Sequence, residues 1–400
     1  MSLYDIVHCI MSTSRRRLLQ SAALGALPLK AARRNLYEEL GITPVLNFRG
    51  THTVIGASKL WPELHEAMAA ASQSFVSIEE LQDKAGERIA KLIGCEDAMV
   101  TTGTAGAITL AVAGALTGAD EVKVRQLPDL IGMRSVVIIQ KVHRNGYDHA
   151  VRNTGVKIVN VETREQLESA FNASTAALYY LGGTSGDWAY ETPVKLDECL
   201  AIAHRADVPV IVDAANMLPP FANLQQLARQ GVDLICTSGG KHMRGPQCSG
   251  ILAGRKALIR AARLNSSPHS DSLGRGLKVG REEVVGLLLA AEKYSKLDFE
   301  AIDRQCQAQA AYLASELKKI GGVEVRFAPH DRTRRVHRLQ VEWDSARIPV
   351  AELERKLLEG SPRIAVLREG KGITFTVFMN DAGDEKHAAR RMKEIFAMVR

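Results

Sequence analysis

VPVIVDAANMLPP (208–220) and DLICTSGGKHMRGPQCSGILAG (233–254), with a helical stretch between them, decide the fold of this chain. The first opens as a continuous apolar run ending in Asp213. The second opens as another, ending in Ser238-Gly239-Gly240-Lys241. Continuous rather than alternating hydrophobic residues mark strands buried on both faces, as in a parallel sheet covered by helices. Open sheets of that kind gather ligands at their C-terminal strand ends. A carboxylate and a lysine at two such ends are therefore candidates for chemistry.

Working outward, the same pattern repeats. DAMVTT (97–102), SVVIIQ (135–140), VKIVNV (156–161), AALYYL (176–181) and SGILAG (249–254) join the two runs above as strand candidates, seven in all, with amphipathic segments such as LDECLAIAHRA and NLQQLARQG between most of them. The alternation predicts an α/β domain with a mostly parallel seven-stranded sheet. Before it, Trp61-Pro62-Glu63 reads as a helix start, and Gly94 as the residue that ends the helix IEELQDKAGERIAKLI. After it, residues 281–320 read as connecting helices. Residues 321–400 read as a small C-terminal α+β domain with a hairpin through EGKG (369–372). The boundaries expected are a leader (1–35), an extended arm (36–60), a large domain (61–280), the connecting helices and the small domain.

Three more features sit at predicted strand ends. Thr101-Thr102-Gly103-Thr104-Ala105-Gly106 joins a strand to an apolar helix, where glycines, hydroxyls and free N–H groups make an anion site. His143, in QKVHRNGYDHAVRNTG, follows the strand SVVIIQ and can lie over a planar ring or assist proton transfer. Lys241, after two glycines, is placed to be partly desolvated and nucleophilic. An unpaired carboxylate at Asp213 would be costly among apolar residues, and a buried pyridinium would relieve that cost. An anion turn, a carboxylate and a lysine together are what pyridoxal phosphate requires: a phosphate cradle, a partner for the ring nitrogen and a Schiff-base lysine. His52, Arg144, His149 and His242 are weaker candidates. Arg275, Lys278 and Arg281 in GRGLKVGREE (274–283) are possible contacts to an anionic group, including one on a neighbouring subunit.

In this order, GITPVLNFRGTHTVIG, ELQDKAGERIAKLIGCEDAMVTTGTAGAITLA, HRNGYDHAVRNTG, VDAANMLPP, SGGKHMRGPQCSGILAGRKALI and LKVGREEVVGLLLAAE resemble the fold-type I pyridoxal-phosphate enzymes, in the branch of selenocysteine synthase (seryl-tRNA selenium transferase) and D-glucosaminate-6-phosphate ammonia lyase. The resemblance implies Lys241 as the Schiff-base lysine, Asp213 as the pyridinium partner, and His143 as the group stacked on the ring. Gly103, Thr104, Ala105 and Ser238 are implied as cofactor contacts, and a homodimer or higher homo-oligomer as the assembly. It points to a lyase acting on a small amino acid or amino sugar acid, with a transferase or a non-catalytic protein of the same fold as alternatives. Many fold-type I enzymes bind the substrate carboxylate through a small-domain arginine. The late strand ITFTVFMND carries none, which leaves Arg363 and Arg368 as candidates. Only a leader and a short arm precede the shared blocks, which argues against tRNA-linked selenium transfer.

Composition narrows the rest. The chain has 400 residues, 46% hydrophobic and 24% charged, with a formal net charge of +7. These values describe a globular protein and favour anionic ligands over a nucleic-acid partner, because RFAPHDRTRRVHR (326–338) lacks the interleaved aromatics of a nucleic-acid patch. Six scattered cysteines show no metal-binding spacing and are expected to be buried. No apolar run approaches the roughly 20 residues of a membrane span. Ser14-Arg15-Arg16-Arg17-Leu18-Leu19 followed by a short apolar stretch reads as a twin-arginine-like leader, with a periplasmic destination expected and a cytoplasmic one as the alternative.

Overall fold

The computed structural model describes residues 36–182, 192–328, 335–378 and 380–399. The leader lies outside the described residues, as does 329–334 within the basic stretch. The chain divides after Val45 into two units, and the architecture below is that of the second. Its first residues complete a short extended segment, the strand Val45–Asn47, after which the chain turns. Asn47 Oδ1 accepts the N–H groups of Arg49 and Gly50 at 2.9 and 3.2 Å, and a 3-10 turn follows at Thr53–Ile55. An asparagine carbonyl that satisfies two nearby amides favours a turn over a strand.

Seven strands form the central sheet: β1 (Asp97–Thr101), β2 (Val136–Gln140), β3 (Lys157–Val161), β4 (Thr175–Leu181), β5 (Val210–Asp213), β6 (Leu234–Ser238) and β7 (Gly250–Gly254). Their spatial order is β1-β7-β6-β5-β4-β2-β3. All pairings are parallel except those of β7, which runs antiparallel to both β1 and β6. Alternation along each strand feeds two cores. Val100, Ile138, Val210, Val212 and Ile235 pack on one face, and Met99, Ile139, Tyr179, Ile211 and Cys236 on the other.

Helix α1 (Pro62–Ser72) starts with proline in its first turn, and α2 (Ile78–Ile93) ends at Gly94 with φ 84°. Both ends lie where the sequence places them. Helix α3 (Gly103–Thr117) is buried on nearly every side, so its apolar residues need no polar face. Connecting helices α4 (Arg281–Tyr294) and α5 (Phe299–Leu317) lead to an antiparallel sheet of β8 (Val323–Phe327), β9 (His337–Trp343), β10 (Leu367–Glu369) and β11 (Gly372–Val377). Leu339, Val341, Phe375 and Phe396 belong to its separate core. Among the described cysteines two depart from expectation: Cys199, Cys236 and Cys306 are buried, whereas Cys95 is part-buried and Cys248 exposed.

Candidate active site

Sheet register brings the predicted residues to one edge. Because β7 is antiparallel, its first residue faces the last residues of both neighbours, Thr101↔Gly250 and Ser238↔Gly250. One strand further on, Asp213 pairs with Cys236 and Leu181 with Asp213. The ends of β1, β6, β5 and β4 thus line a single rim.

At the β1 end of that rim lies the turn into α3. Gly103 has φ +66°, a left-handed conformation that favours glycine, and a Cβ on Gly250 would collide with its backbone. Thr101 Oγ1 donates to Gly103 O at 3.1 Å. Thr102 has helix-capping position but makes no side-chain cap bond. The hydroxyls of Thr102 and Thr104 are both buried without a hydrogen-bond partner. Two orphaned hydroxyls at a helix N-terminus carry an unmet polar cost that a phosphate would remove. Ala105 is exposed in the same first turn, and Ser238 is buried across the rim.

Asp213 is buried at the centre. Tyr179 donates its hydroxyl to Asp213 Oδ2 at 2.8 Å, and the Ala215 N–H donates to Oδ1 at 2.9 Å. Burial raises the carboxyl pKa, while the Ala215 amide, the Tyr179 hydroxyl and the Lys241 charge pull the other way. Lys241 is half-buried, and its Nζ donates to Asn216 Oδ1 at 3.2 Å. The acid and the amine are therefore electrostatic neighbours, as a ring held between them requires.

His143 is wholly buried, its ring edge-on to Tyr180 with centroids 4.5 Å apart. Its Nδ1 accepts from the Leu181 N–H at 3.4 Å, and Nε2 lies 3.4 Å from Thr192 Oγ1. Burial lowers its pKa to about 4. A neutral ring that accepts at Nδ1 carries its proton on Nε2. Several of the weaker candidates are engaged elsewhere. Arg144 binds Asp148 and Asn160, and Arg152 binds His149. Arg275 donates to Ser267 Oγ, and Arg281 to the carbonyls of Ala71 and Ser72. His242 is buried, with its ring 4.2 Å from that of Phe378.

The two arginines named from the sequence as carboxylate candidates are engaged elsewhere. Arg363 donates to Leu358 O at 2.6 Å and Arg368 pairs with Glu354 at 2.7 Å. Arg49 and Arg338 act on the same neighbour as the lysine. His52, although accessible, has its pKa lowered first by partial desolvation and then by the positive charges of Arg49, Lys241 and Arg338. Arg338 is held by Glu369 at 2.5 Å, and Glu369 also accepts from Thr374. Arg49 Nε is buried without a partner, and so is the Asn380 side-chain oxygen. The sequence signal for Arg338, an arginine at a part-buried position of an alternating strand, was available. The convergence of Arg49 and Arg338 was not.

The phosphate-ready helix turn, the buried acid and the lysine fit pyridoxal phosphate, and the sheet with its single reversed strand is that of the fold-type I pyridoxal-phosphate enzymes. A solved structure of D-glucosaminate-6-phosphate ammonia-lyase superposes with a TM-score of 0.78 at 29% identity, covering 92% of this chain and 100% of that one. Residues 61–372 match the family model for aminotransferase class-V, and the chain belongs to that family. It is 31% identical to a D-glucosaminate-6-phosphate ammonia lyase of Salmonella typhimurium, over 78% of this chain and 84% of that protein. It is 33% identical to a 5'-C-glycyluridine monooxygenase-decarboxylase of a Streptomyces species, over 82% and 83%. An L-seryl-tRNA(Sec) selenium transferase of Serratia proteamaculans is 28% identical, over 64% of this chain but 57% of that protein. The protein is a pyridoxal-phosphate-dependent enzyme of the lyase and transferase group.

Proposed function

We propose that the enzyme is a lyase that takes a small amino acid or amino sugar acid and removes a β-substituent, releasing ammonia and a keto acid. The observation that carries this reading is the meeting of Asp213 and Lys241 on the rim beside the two unpartnered hydroxyls of Thr102 and Thr104. When bound, pyridoxal phosphate supplies an electron sink for charge left at the substrate Cα. Thr102, Thr104 and the first N–H groups of α3 would hold its phosphate, with Gly103, Ala105 and Ser238 lining the cradle. Asp213, fixed by Tyr179 and Ala215, would keep a proton on the ring nitrogen.

Lys241 would anchor the cofactor through its amine, and the same amine would move the Cα proton of the substrate. His143 is left with the ring face. Its Nδ1 is taken by the Leu181 amide and its Nε2 carries a proton, so the neutral imidazole has no free lone pair with which to act as base. Arg49 and Arg338, whose charges act with that of Lys241 on His52, are the arginines proposed to meet the substrate carboxylate, Arg49 by exchanging its 3.7 Å pairing with Glu354 and Arg338 its pairing with Glu369.

After reconstitution with pyridoxal phosphate, the wild type is expected to show a visible band that Lys241→Ala abolishes. A band common to both proteins would overturn this assignment. The substrate is sought by screening amino acids and amino sugar acids, free and phosphorylated, for ammonia release. The 33% identity to a monooxygenase-decarboxylase favours a second reading, loss of the substrate carboxylate as carbon dioxide with consumption of oxygen. An oxygen electrode and a carbon dioxide assay on the same panel separate the two. A homodimer is the proposed assembly, and export through the leader to the periplasm the proposed destination. Cell fractionation of the full chain and of an Arg15→Lys, Arg16→Lys variant tests the latter.

A further inference from the structure

The chain just beyond Lys241 adopts a conformation that it does not hold alone. Arg244 has φ +55°, a left-handed geometry that a side-chain-bearing residue keeps only when its surroundings enforce it. The enforcement comes from residues 58–61. Ser58 Oγ donates to Gly240 O at 2.8 Å, and the Trp61 indole N–H donates to Met243 O at 2.9 Å. The Trp61 backbone N–H donates to Arg244 O at 3.3 Å. In return, Arg244 Nε donates to Lys59 O at 2.8 Å, and its guanidinium lies 4.0 Å over the Trp61 ring. The carbonyls of Gly240 and Met243, on either side of Lys241, are thus both taken by one strap.

We infer that residues 58–61, stapled by Arg244 over Trp61, are a positioning device for Lys241. This rests on the cofactor reading above. A lysine reaches its partner through a flexible four-carbon stem, so the protein aims the amine by fixing the backbone from which it springs as well as by the Asn216 contact at its tip. Fixing the carbonyls on both sides does that, and it restricts how far the stem relaxes once the amine is joined to the cofactor. The protonated, conjugated form of that link is the more demanding in geometry. Loosening the strap therefore favours protonation.

The test is the pH titration of the visible band in reconstituted wild type, Ser58→Ala, Arg244→Gln and Arg244→Lys, with melting temperatures measured alongside. Arg244→Gln is expected to raise the titration midpoint by about one pH unit, a tenfold change in proton affinity. Ser58→Ala, which leaves all charges in place, moves it the same way by a smaller step. Arg244→Lys, which keeps the charge over Trp61, stays nearer the wild type. The inference falls if Ser58→Ala and Arg244→Gln titrate like the wild type while melting earlier, since the strap is then only structural. Should Arg244→Gln fail to fold, Ser58→Ala decides alone. A wild type without any Lys241-dependent band is a different failure, and Lys241→Ala reveals it because the cofactor reading falls first.

Discussion

Tyr179 is the residue on which the acid at the centre of the site depends. Its hydroxyl is one of two donors to a carboxylate that burial pushes towards its neutral form. Tyr179→Phe removes that donor and leaves Asp213 with a higher pKa, so the acid ionises less readily at neutral pH. The expected outcome is a fall in kcat of about tenfold, from a lost hydrogen bond to a charged group, with cofactor still bound. The turnover of the identified substrate by Tyr179→Phe checks it. At the other end of the substrate, Arg338→Gln and Arg49→Gln should each raise KM by about 10–100-fold, the usual worth of a charge-assisted bond, and leave the visible band unaltered. Steady-state kinetics separate these from a general loss of fold.

At the scale of elements, Gly250 opens β7 against the Gly103 turn. Gly250→Ala forces that turn away from the rim, and the variant is expected to release pyridoxal phosphate during gel filtration while the wild type retains it. The short helix segment after β2 carries a second prediction. Asp148 is buried, and although burial alone would raise its pKa, Arg144 and Arg152 hold it below the usual carboxylate range. A depressed carboxyl contributes stability above its unfolded pKa and loses it as pH falls through the folded one. Asp148→Asn should cost about 1.5–3 kcal/mol at neutral pH, and the gap to wild type in urea midpoint should close as pH falls below about 4.

The central strands were readable in advance because most of them, such as β5, β6 and β7, are buried on both faces and therefore spelled as an unbroken apolar run. Lys241 and Asp213 were readable because polar residues at the ends of such runs stand out. Tyr179 was not, since it sits inside the run AALYYL and reads there as one more hydrophobic residue. Arg49 and Arg338 are nearly three hundred positions apart, and no local pattern announces that both charges act on His52. Arg363 and Arg368 drew attention only by lying near the last strand, where other partners hold them.

For the whole molecule, the proposed homodimer gives a use to apolar side chains that the described residues leave in water. Phe75, in the link between α1 and α2, is 98% exposed, and its ring lies 5.7 Å from the Arg281 guanidinium. With Val76 beside it, also exposed, Phe75 forms an apolar patch that a second subunit would cover. Sedimentation equilibrium is expected to return twice the chain mass for the wild type and a lower average for Phe75→Glu. A monomeric wild type would remove the proposal.

The reversal of β7 bears on how this protein can be altered. Parallel neighbours are joined by crossovers that leave the rim, travel the length of the sheet and return. Residues 239–249 instead leave Ser238 and come straight back to Gly250, its own partner across the sheet. The segment that carries Lys241 is therefore a bridge with both feet on the same rim, one of them resting on the phosphate turn. Lengthening it by even a few residues would slacken lysine and phosphate cradle together, whereas the crossover loops at the far edge can grow without either noticing.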